Sequence, residues 1–199
     1  RRRAELDEVA FAIVDAATGS KERAQSLAGG VWYIPRRHEK RVVAPPLEDL
    51  KKSGNIDAWA FKGDKIALGE MDAILGICER ILTAKTNKKI RLIVLATDNL
   101  SCKFWIEKGH ARTAEMQDKL NYLHSMLNRA EVRLFLVYVP TGDNFADEIS
   151  RILDREEMMR ELSQSKLNKS HELLVRAFEE VCHGLWSLGG GQTGGLARV

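Results

Sequence analysis

The chain of 199 residues is poor in cysteine and proline, with three of the first and four of the second, and its net charge is only +3. Cys78, Cys102 and Cys182 lie far apart and form no C-x-x-C pair, which argues against a disulfide framework and against a zinc site. The same pattern favours a reducing, intracellular compartment. Because the net charge is small, any contact with nucleic acid has to rest on local basic patches.

Long apolar runs and targeting segments are also missing. No run reaches the roughly 18 apolar residues of a membrane span, and no signal peptide is visible, so we expect no membrane partner. Hydrophobic residues make up 44% of the chain and charged residues 30%, which is ordinary for a globular domain with a sizeable core. The first residue is Arg1 and not methionine, so we expect the chain to be part of a longer protein.

Hydrophobic periodicity predicts an α/β fold in which a mixed sheet of five strands is flanked by helices. The predicted strands cover residues 8–17, 29–35, 56–61, 89–99 and 132–140, and the first three are expected to form an antiparallel meander. The predicted helices cover residues 65–84, 100–109 and 113–131, followed by a helical pattern from 144 to about 183 with a break near 166–170. Residues 36–56 are basic and contain Pro45, Pro46 and Gly54, which predicts a long loop.

Four acids stand where predicted strands end or helices begin. Asp15 follows "AFAIV", Asp98 follows "LIVLAT", Glu70 lies early in the first helix, and Asp147 starts the helix after the last strand. In an open α/β sheet such positions converge on one edge. Taken singly, each acid is a plausible turn former or helix-start residue.

The combination of these acids points further than any one of them. An unpaired acid at the end of a buried strand is costly, and several carboxylates that are packed together repel each other unless a cation compensates them. Oxygen ligands in that number suit Mg²⁺ or Mn²⁺ and fit zinc poorly. The sequence therefore predicts a metal site built from four distant segments.

Four sequence stretches resemble the ribonuclease H domain of retroelement reverse transcriptases, of the tyrosine-recombinase or long-terminal-repeat kind. They are "VDAA" at the first strand end, "ALGEMDAI" in the first helix, "ATDNLSCKFWIEKG" at the fourth strand and "VPTGDNFADEISR" at the last one. The last stretch resembles a V-P-G-x-x-N-x-A-D-x-x-S-R signature and departs from it at Thr141. The resemblance covers about residues 8–152.

This resemblance implies an endonuclease that hydrolyses the RNA strand of RNA/DNA hybrids. Asp15, Glu70, Asp98 and Asp147 would be its catalytic and metal-binding acids, holding two Mg²⁺ or Mn²⁺ ions. A hybrid would be selected by its shape and its 2′-hydroxyl groups. The expected partners are an RNA/DNA hybrid and an adjacent reverse transcriptase domain.

The resemblance also divides the chain. We predict a ribonuclease H-like domain at residues 5–156, a helical C-terminal extension at 157–188 and a flexible tail at 189–199, where "GGGQTGG" lies. The extension is amphipathic. It is expected either to dock on the domain or to pack against another part of a longer protein.

Four residues are candidates for substrate binding. Asn99 and Ser101 follow Asp98 and either contact sugar or phosphate or cap the next helix. Arg36 and Arg37 belong to the run "RRHEKR", which is either a phosphate-contacting loop or a solvated one. Three further acids fall outside the family pattern and are interpreted as surface or capping residues: Asp72, Asp143 and Glu148.

Two other interpretations stay open at this point. The chain is alternatively a non-catalytic, domesticated scaffold or nucleic-acid-binding module, or else another nuclease of the same fold such as a resolvase or integrase. The presence of all four acids favours the active nuclease over the scaffold. The signature around Asp147 argues against the resolvase and integrase.

Overall fold

A computed structural model describes residues 5–21 and 24–187, with side chains up to residue 183. The strands are β1 (Val9–Ala17), β2 (Leu27–Tyr33), β3 (Arg36–His38), β4 (Arg41–Val43), β5 (Ile56–Ala60), β6 (Leu92–Thr97) and β7 (Arg133–Tyr138). The helices are α1 (Leu47–Lys52), α2 (Ile66–Thr83), α3 (Leu100–Lys108), α4 (Ala114–Ala130), α5 (Asp147–Arg151), α6 (Arg155–Glu161) and α7 (Gln164–Ser187). Short 3₁₀ turns precede β1 and α5.

The main sheet has the strand order β5-β2-β1-β6-β7. Strand β2 runs antiparallel to both β1 and β5, whereas β6 is parallel to β1 and to β7. The first three strands of this sheet are therefore the predicted meander, and the later parallel strands are joined through helices. The predicted fold class, an α/β fold with a five-stranded mixed sheet, flanking helices and further helices at the C-terminal end, is confirmed.

The two faces of the sheet bury separate cores. Strand β1 is buried along nearly its whole length, as expected of a central strand covered on both sides. On one face, Val14 packs in the same cluster as Met71 of α2 and Leu120 of α4. On the other face, Phe11 belongs to a cluster with helices α1, α5, α6 and α7. Within the described residues, no helix is long and apolar enough to span a membrane.

The prediction of a long loop at residues 36–56 is wrong. This segment forms a two-stranded β3–β4 hairpin, followed by α1, before the chain enters the sheet as β5. The side chains of β3 are exposed and charged or polar, so the segment has no apolar alternation that would predict strands. Part of the hairpin's support is tertiary, because His171 Nε2 of α7 donates a hydrogen bond to the carbonyl of Val42 at 2.9 Å.

The predicted helix break at residues 166–170 is also misplaced. The helical pattern is interrupted earlier, between α5 and α6 and again between α6 and α7. Asp154 caps α6 by accepting from Glu157 N at 2.8 Å, whereas residues 166–170 continue inside α7. Ser170 suits this helical position because its hydroxyl is buried and donates to the carbonyl of Asp143 at 2.7 Å.

Helix α7 packs on the sheet. Its buried residues Leu174 and Phe178 share a cluster with Phe11 of β1 and Val94 of β6, and Phe178 meets the Phe11 ring edge-on at 6.0 Å. The hydroxyl of Tyr33 in β2 also lies 2.7 Å from His171 Nδ1. The domain boundaries at 156 and 188 stay predictions, and the predicted tail at 189–199 lies outside the described residues.

The packing of α7 predicts a large loss of stability in Phe178→Ala. Removing a buried phenyl ring costs about 3–5 kcal/mol because it loses burial and leaves a cavity. Urea unfolding followed by circular dichroism measures the free energy of unfolding. The control is Arg176→Ala on the exposed face of α7, where we expect a change within about 0.5 kcal/mol. Equal effects of the two substitutions would contradict the docking of α7 on the sheet.

Candidate metal centre

Two of the predicted acids are brought together by parallel pairing. Ile13 of β1 is in register with Ala96 of β6. Two residues beyond that pair on each chain segment stand Asp15 and Asp98. Asp15 is buried within the end of β1, whereas Asp98 lies between β6 and α3 and is half-buried. The strand register therefore places both carboxylates at the same edge of the sheet.

Helix α2 supplies the third acid. Glu70 lies in its first turns and is 3% exposed, because α2 packs across β1 and β2. The backbone N–H of Ala16 donates to its carboxylate. That contact directs the side chain of Glu70 towards the end of β1, where Asp15 lies.

The three carboxylates form one compact group. Oxygen atoms of Asp15, Glu70 and Asp98 all lie within 4.8 Å of one another. Among the described residues, Glu70 Oε2 is buried and has no hydrogen-bond partner. Buried polar atoms of folded proteins almost always have a partner, so this oxygen is available to a ligand that the protein does not itself provide.

The electrostatics of the group match this geometry. The pKa of Asp15 is raised, mainly by burial and then by the charge of Asp98. The pKa of Glu70 is raised further, again mainly by burial and then by the charges of Asp15 and Asp98. Asp15 and Glu70 also share a hydrogen bond, so at least one of the two carries a proton when no cation is present.

Asp147 is a neighbour of this group and not a member of it. Its charge contributes to the raised pKa of Asp15, but the group within 4.8 Å consists of the other three acids. The carboxylate of Asp147 is paired with Arg151 Nε at 2.9 Å and lies 3.9 Å from Lys166 Nζ. Burial raises its own pKa, and these two cations oppose that shift.

Helix α5 can approach Asp15 because β2 has a glycine at the facing position. Gly29 is paired with Asp15, and a Cβ at Gly29 would lie 2.8 Å from Cγ2 of Ile149 in α5. The close approach allows Ser150 of α5 to donate its hydroxyl to Asp15 Oδ2 at 2.7 Å, with both side chains buried. No role is predicted for Ser150 from the sequence, although this serine is part of the signature that residues 139–151 resemble.

Of the residues that follow Asp98, Asn99 caps a helix and Ser101 is exposed. Asn99 is the N-cap of α3, and its Oδ1 accepts from Cys102 N at 2.8 Å. The capping alternative for Asn99 therefore describes the structure. Ser101 is exposed in the first turn of α3, close in sequence to Asp98.

Arg36 and Arg37 lie at the other end of the sheet. Tyr33 of β2 pairs with Phe11, whereas Gly29 pairs with Asp15, so β3 continues away from the acids. Strand β3 also contacts the 3₁₀ turn that precedes β1, so Arg36 lies roughly 20 Å from the edge that carries Asp15, which is about the length of six residues of β1. Arg37 lines a cavity of about 560 Å³ between the β3–β4 hairpin and α7.

Of the acids outside the family pattern, Glu148 differs from its interpretation as a surface or capping residue. It is 21% exposed and ion-paired with Lys166 of α7 at 2.7 Å, and its Oε2 is buried without a hydrogen-bond partner in the described part of the chain. The later helix α7 covers Glu148, which the local sequence does not reveal. Asp143 is more exposed and faces Lys169, and Asp72 pairs with Lys119.

Solved structures that are similar to this chain include two distant ones. The foamy viral protease-reverse transcriptase, solved in complex with an RNA/DNA hybrid, has a TM-score of 0.44 and 14% identity over 75% of this chain, which spans only 20% of the viral one. LC11-RNase H1, isolated from compost by a metagenomic approach, has a TM-score of 0.43 and 10% identity over 87% of this chain and 96% of its own. No family model and no curated protein matches the chain. Both likenesses are too distant to define an activity.

The raised pKa values predict that Asp98→Asn stabilises the metal-free protein. Asp15 and Glu70 bind protons more tightly in the folded than in the unfolded chain, so their contribution to stability falls as the pH rises above about 4. Removing the charge of Asp98 removes its repulsion on the carboxylates of Asp15 and Glu70. We expect the melting temperature of Asp98→Asn to exceed that of the wild type by about 3 °C at pH 8, which is roughly 1 kcal/mol, and by less at pH 5.

Differential scanning calorimetry in the presence of a chelator measures this difference. The matched control is Asp64→Asn, which changes the same charge in an exposed loop and should leave the melting temperature within about 1 °C. A destabilised Asp98→Asn at pH 8 would contradict the electrostatic picture of the three acids.

Proposed function

We propose that this chain is a metal-dependent endonuclease that hydrolyses the RNA strand of RNA/DNA hybrids, as the ribonuclease H part of a retroelement polyprotein. One observation carries the proposal. Three carboxylates from β1, α2 and the β6–α3 junction lie within 4.8 Å of one another, and one buried oxygen of Glu70 has no partner among the described residues. The sequence signature around Asp147 supports the same activity.

The donor set fits hard divalent cations. Carboxylate oxygens are the ligands that Mg²⁺ and Mn²⁺ prefer, whereas zinc prefers nitrogen and sulfur. We propose that Asp15, Glu70 and Asp98 hold Mg²⁺ or Mn²⁺, and that Asp147 completes a site for two ions. When bound, such ions activate water and stabilise the charge that develops during phosphodiester hydrolysis.

The chain's own residues prepare this site in three ways. Asp15 and Glu70 would release the proton they retain when a cation binds, since its positive charge favours the ionised carboxylates and so offsets the burial and the repulsion that raise their pKa values. Ser150 fixes the orientation of Asp15 through its hydroxyl. Asn99 caps α3 and so fixes the backbone that follows Asp98. Asp98 is half-buried, which leaves one side of the group open to a substrate.

The substrate contacts follow from position. We propose that Ser101, exposed on the first turn of α3, contacts the sugar-phosphate backbone beside the cleavage site. Asn99 uses its oxygen as a cap, so only its amide NH₂ remains for the substrate. Arg36 and Arg37 are proposed as contacts to a distant part of a long hybrid, because they lie at the far end of the sheet. We also propose an adjacent reverse transcriptase domain as a partner, with residues 5–156 as the catalytic domain and 157–188 as its extension.

The test is cleavage of labelled substrates in Mg²⁺ by the wild-type chain and by Asp98→Asn. We expect the wild type to cut an RNA/DNA hybrid and to leave single-stranded RNA and duplex DNA intact. Asp98→Asn should cut at least about 100-fold more slowly, beyond the 10–100-fold typical of residues that only support a metal ligand. Circular dichroism checks that the variant is folded.

Asp64→Asn serves again as the charge-matched control and should cut at the wild-type rate. Cleavage by Asp98→Asn at that rate would contradict the site. A folded wild-type chain that cuts none of the three substrates would favour the non-catalytic scaffold instead. Cleavage of duplex DNA would favour the other nucleases of this fold.

A further inference from the structure

One lysine of the C-terminal helix lies between two carboxylates of α5. Lys166 Nζ is 2.7 Å from Glu148 Oε1 and 3.9 Å from Asp147 Oδ2. All three side chains are shielded, with exposed fractions of 26% for Lys166, 21% for Glu148 and 13% for Asp147. A single ammonium therefore connects α7 to the helix that carries the fourth candidate acid.

The same face of α7 also holds the chain that leads into α5. Ser170 lies one helical turn after Lys166 and is fully buried. Its hydroxyl accepts from Phe145 N at 3.1 Å and donates to the carbonyl of Asp143 at 2.7 Å. Lys166 and Ser170 thus fix the two ends of the segment 143–148.

The two cations beside Asp147 are not equivalent. Arg151 belongs to the same helix as Asp147 and is 61% exposed, so it can exchange its partner for water at little cost. Lys166 is shielded, and it has Glu148 as a second and closer partner. A divalent cation bound by the carboxylate of Asp147 would displace Arg151, whereas Lys166 would keep Glu148 as its partner.

We propose that Lys166 is a positioning residue, which holds α5 through Glu148 so that Asp147 faces the group of Asp15, Glu70 and Asp98. The inference rests on the proposed function, because it gives Asp147 its role as a metal ligand. It makes α7 part of the metal site and not only a cover for the sheet.

A positioning residue and a merely nearby charge predict opposite changes in metal affinity when Lys166 is replaced. Lys166→Met removes one positive charge beside a group of acids, and by Coulomb attraction alone it would tighten the binding of a divalent cation. Loss of a residue that positions Asp147 weakens the binding instead, because residues that orient metal ligands typically contribute 10–100-fold to metal affinity. The direction of the change therefore separates the two roles.

Isothermal titration of Mn²⁺ into the full chain, without nucleic acid, measures the direction. We expect Lys166→Met to weaken Mn²⁺ binding by about 10-fold or more, and Lys166→Arg to restore it to within about threefold of the wild type. The control is Lys169→Met on the same helix. Lys169 is 58% exposed and faces Asp143 at 3.5 Å, so this variant has the same charge change without the shielded contact. It should bind Mn²⁺ as tightly as the wild type or slightly more tightly.

A double-mutant cycle connects the effect to Asp147. In an Asp147→Asn background, Lys166→Met should change Mn²⁺ affinity by less than about twofold, because the ligand that it positions is already lost. Unchanged or tighter Mn²⁺ binding in Lys166→Met, or a full effect in the Asp147→Asn background, overturns the positioning role while the proposed function stands. Failure of the wild type to bind Mn²⁺ overturns the proposed function and this inference with it.

If Lys166→Met alone fails to fold, the double variant Lys166→Met with Glu148→Met replaces it. This pair removes both partners, so no shielded carboxylate is left without its cation. The positioning role again requires weaker Mn²⁺ binding than in the wild type. Binding at wild-type strength in the folded double variant overturns the role.

Discussion

Mutual repulsion among Asp15, Glu70 and Asp98 is the constraint on which the rest of the site depends. Three carboxylates within 4.8 Å of one another, two of them buried, are unfavourable as long as all remain charged. The chain holds them together because each belongs to, or directly follows, an element with strong packing of its own. Strand β1 is buried on both faces, and α2 lies across β1 and β2. A cation bound as proposed would convert this unfavourable cluster into a stabilising one and would couple metal binding to the stability of the fold.

Gly29 and the hydroxyl groups of Ser150 and Ser170 connect the acids to the helices on the second face of the sheet. Gly29 has no side chain opposite Asp15, so α5 can approach closely enough for Ser150 to reach the carboxylate. Helix α5 has only five residues and packs on β1, β2 and β5. Helix α7 holds it as well, through the ion pair of Lys166 with Glu148, and holds the segment before it through the buried hydroxyl of Ser170. The geometry of the acids therefore depends on parts of the chain that are far from them in sequence.

The sequence predicted most of the fold, because β1 and β6 are long apolar runs and α2 and α4 have clear helical periodicity. It also predicted that Asp15, Glu70 and Asp98 converge, since Asp15 and Asp98 follow buried strands directly, but it placed Asp147 in the same group, whereas Asp147 lies outside it. The β3–β4 hairpin was not predictable from its own residues, because its exposed side chains carry no strand pattern and part of its support comes from His171. Lys166 could not be found either, as it lies 18 residues beyond Glu148 with no motif around it. Local sequence patterns indicate strands and helix caps, whereas contacts between helices that are distant in sequence produce no pattern in the residues around them.

The dependence of α5 on α7 has a consequence for biosynthesis. Chains emerge from the ribosome with the N-terminal part first, at about 5–20 residues per second. The five strands of the main sheet can pair once β7 has left the exit tunnel, yet Asp147 and Glu148 then still lack the helix that steadies them. We therefore expect the sheet edge that carries the four acids to reach its final geometry last, a few seconds after β7 at this rate of synthesis. During this delay a nascent chain already has its sheet, but Asp147 is not yet held in place by α7.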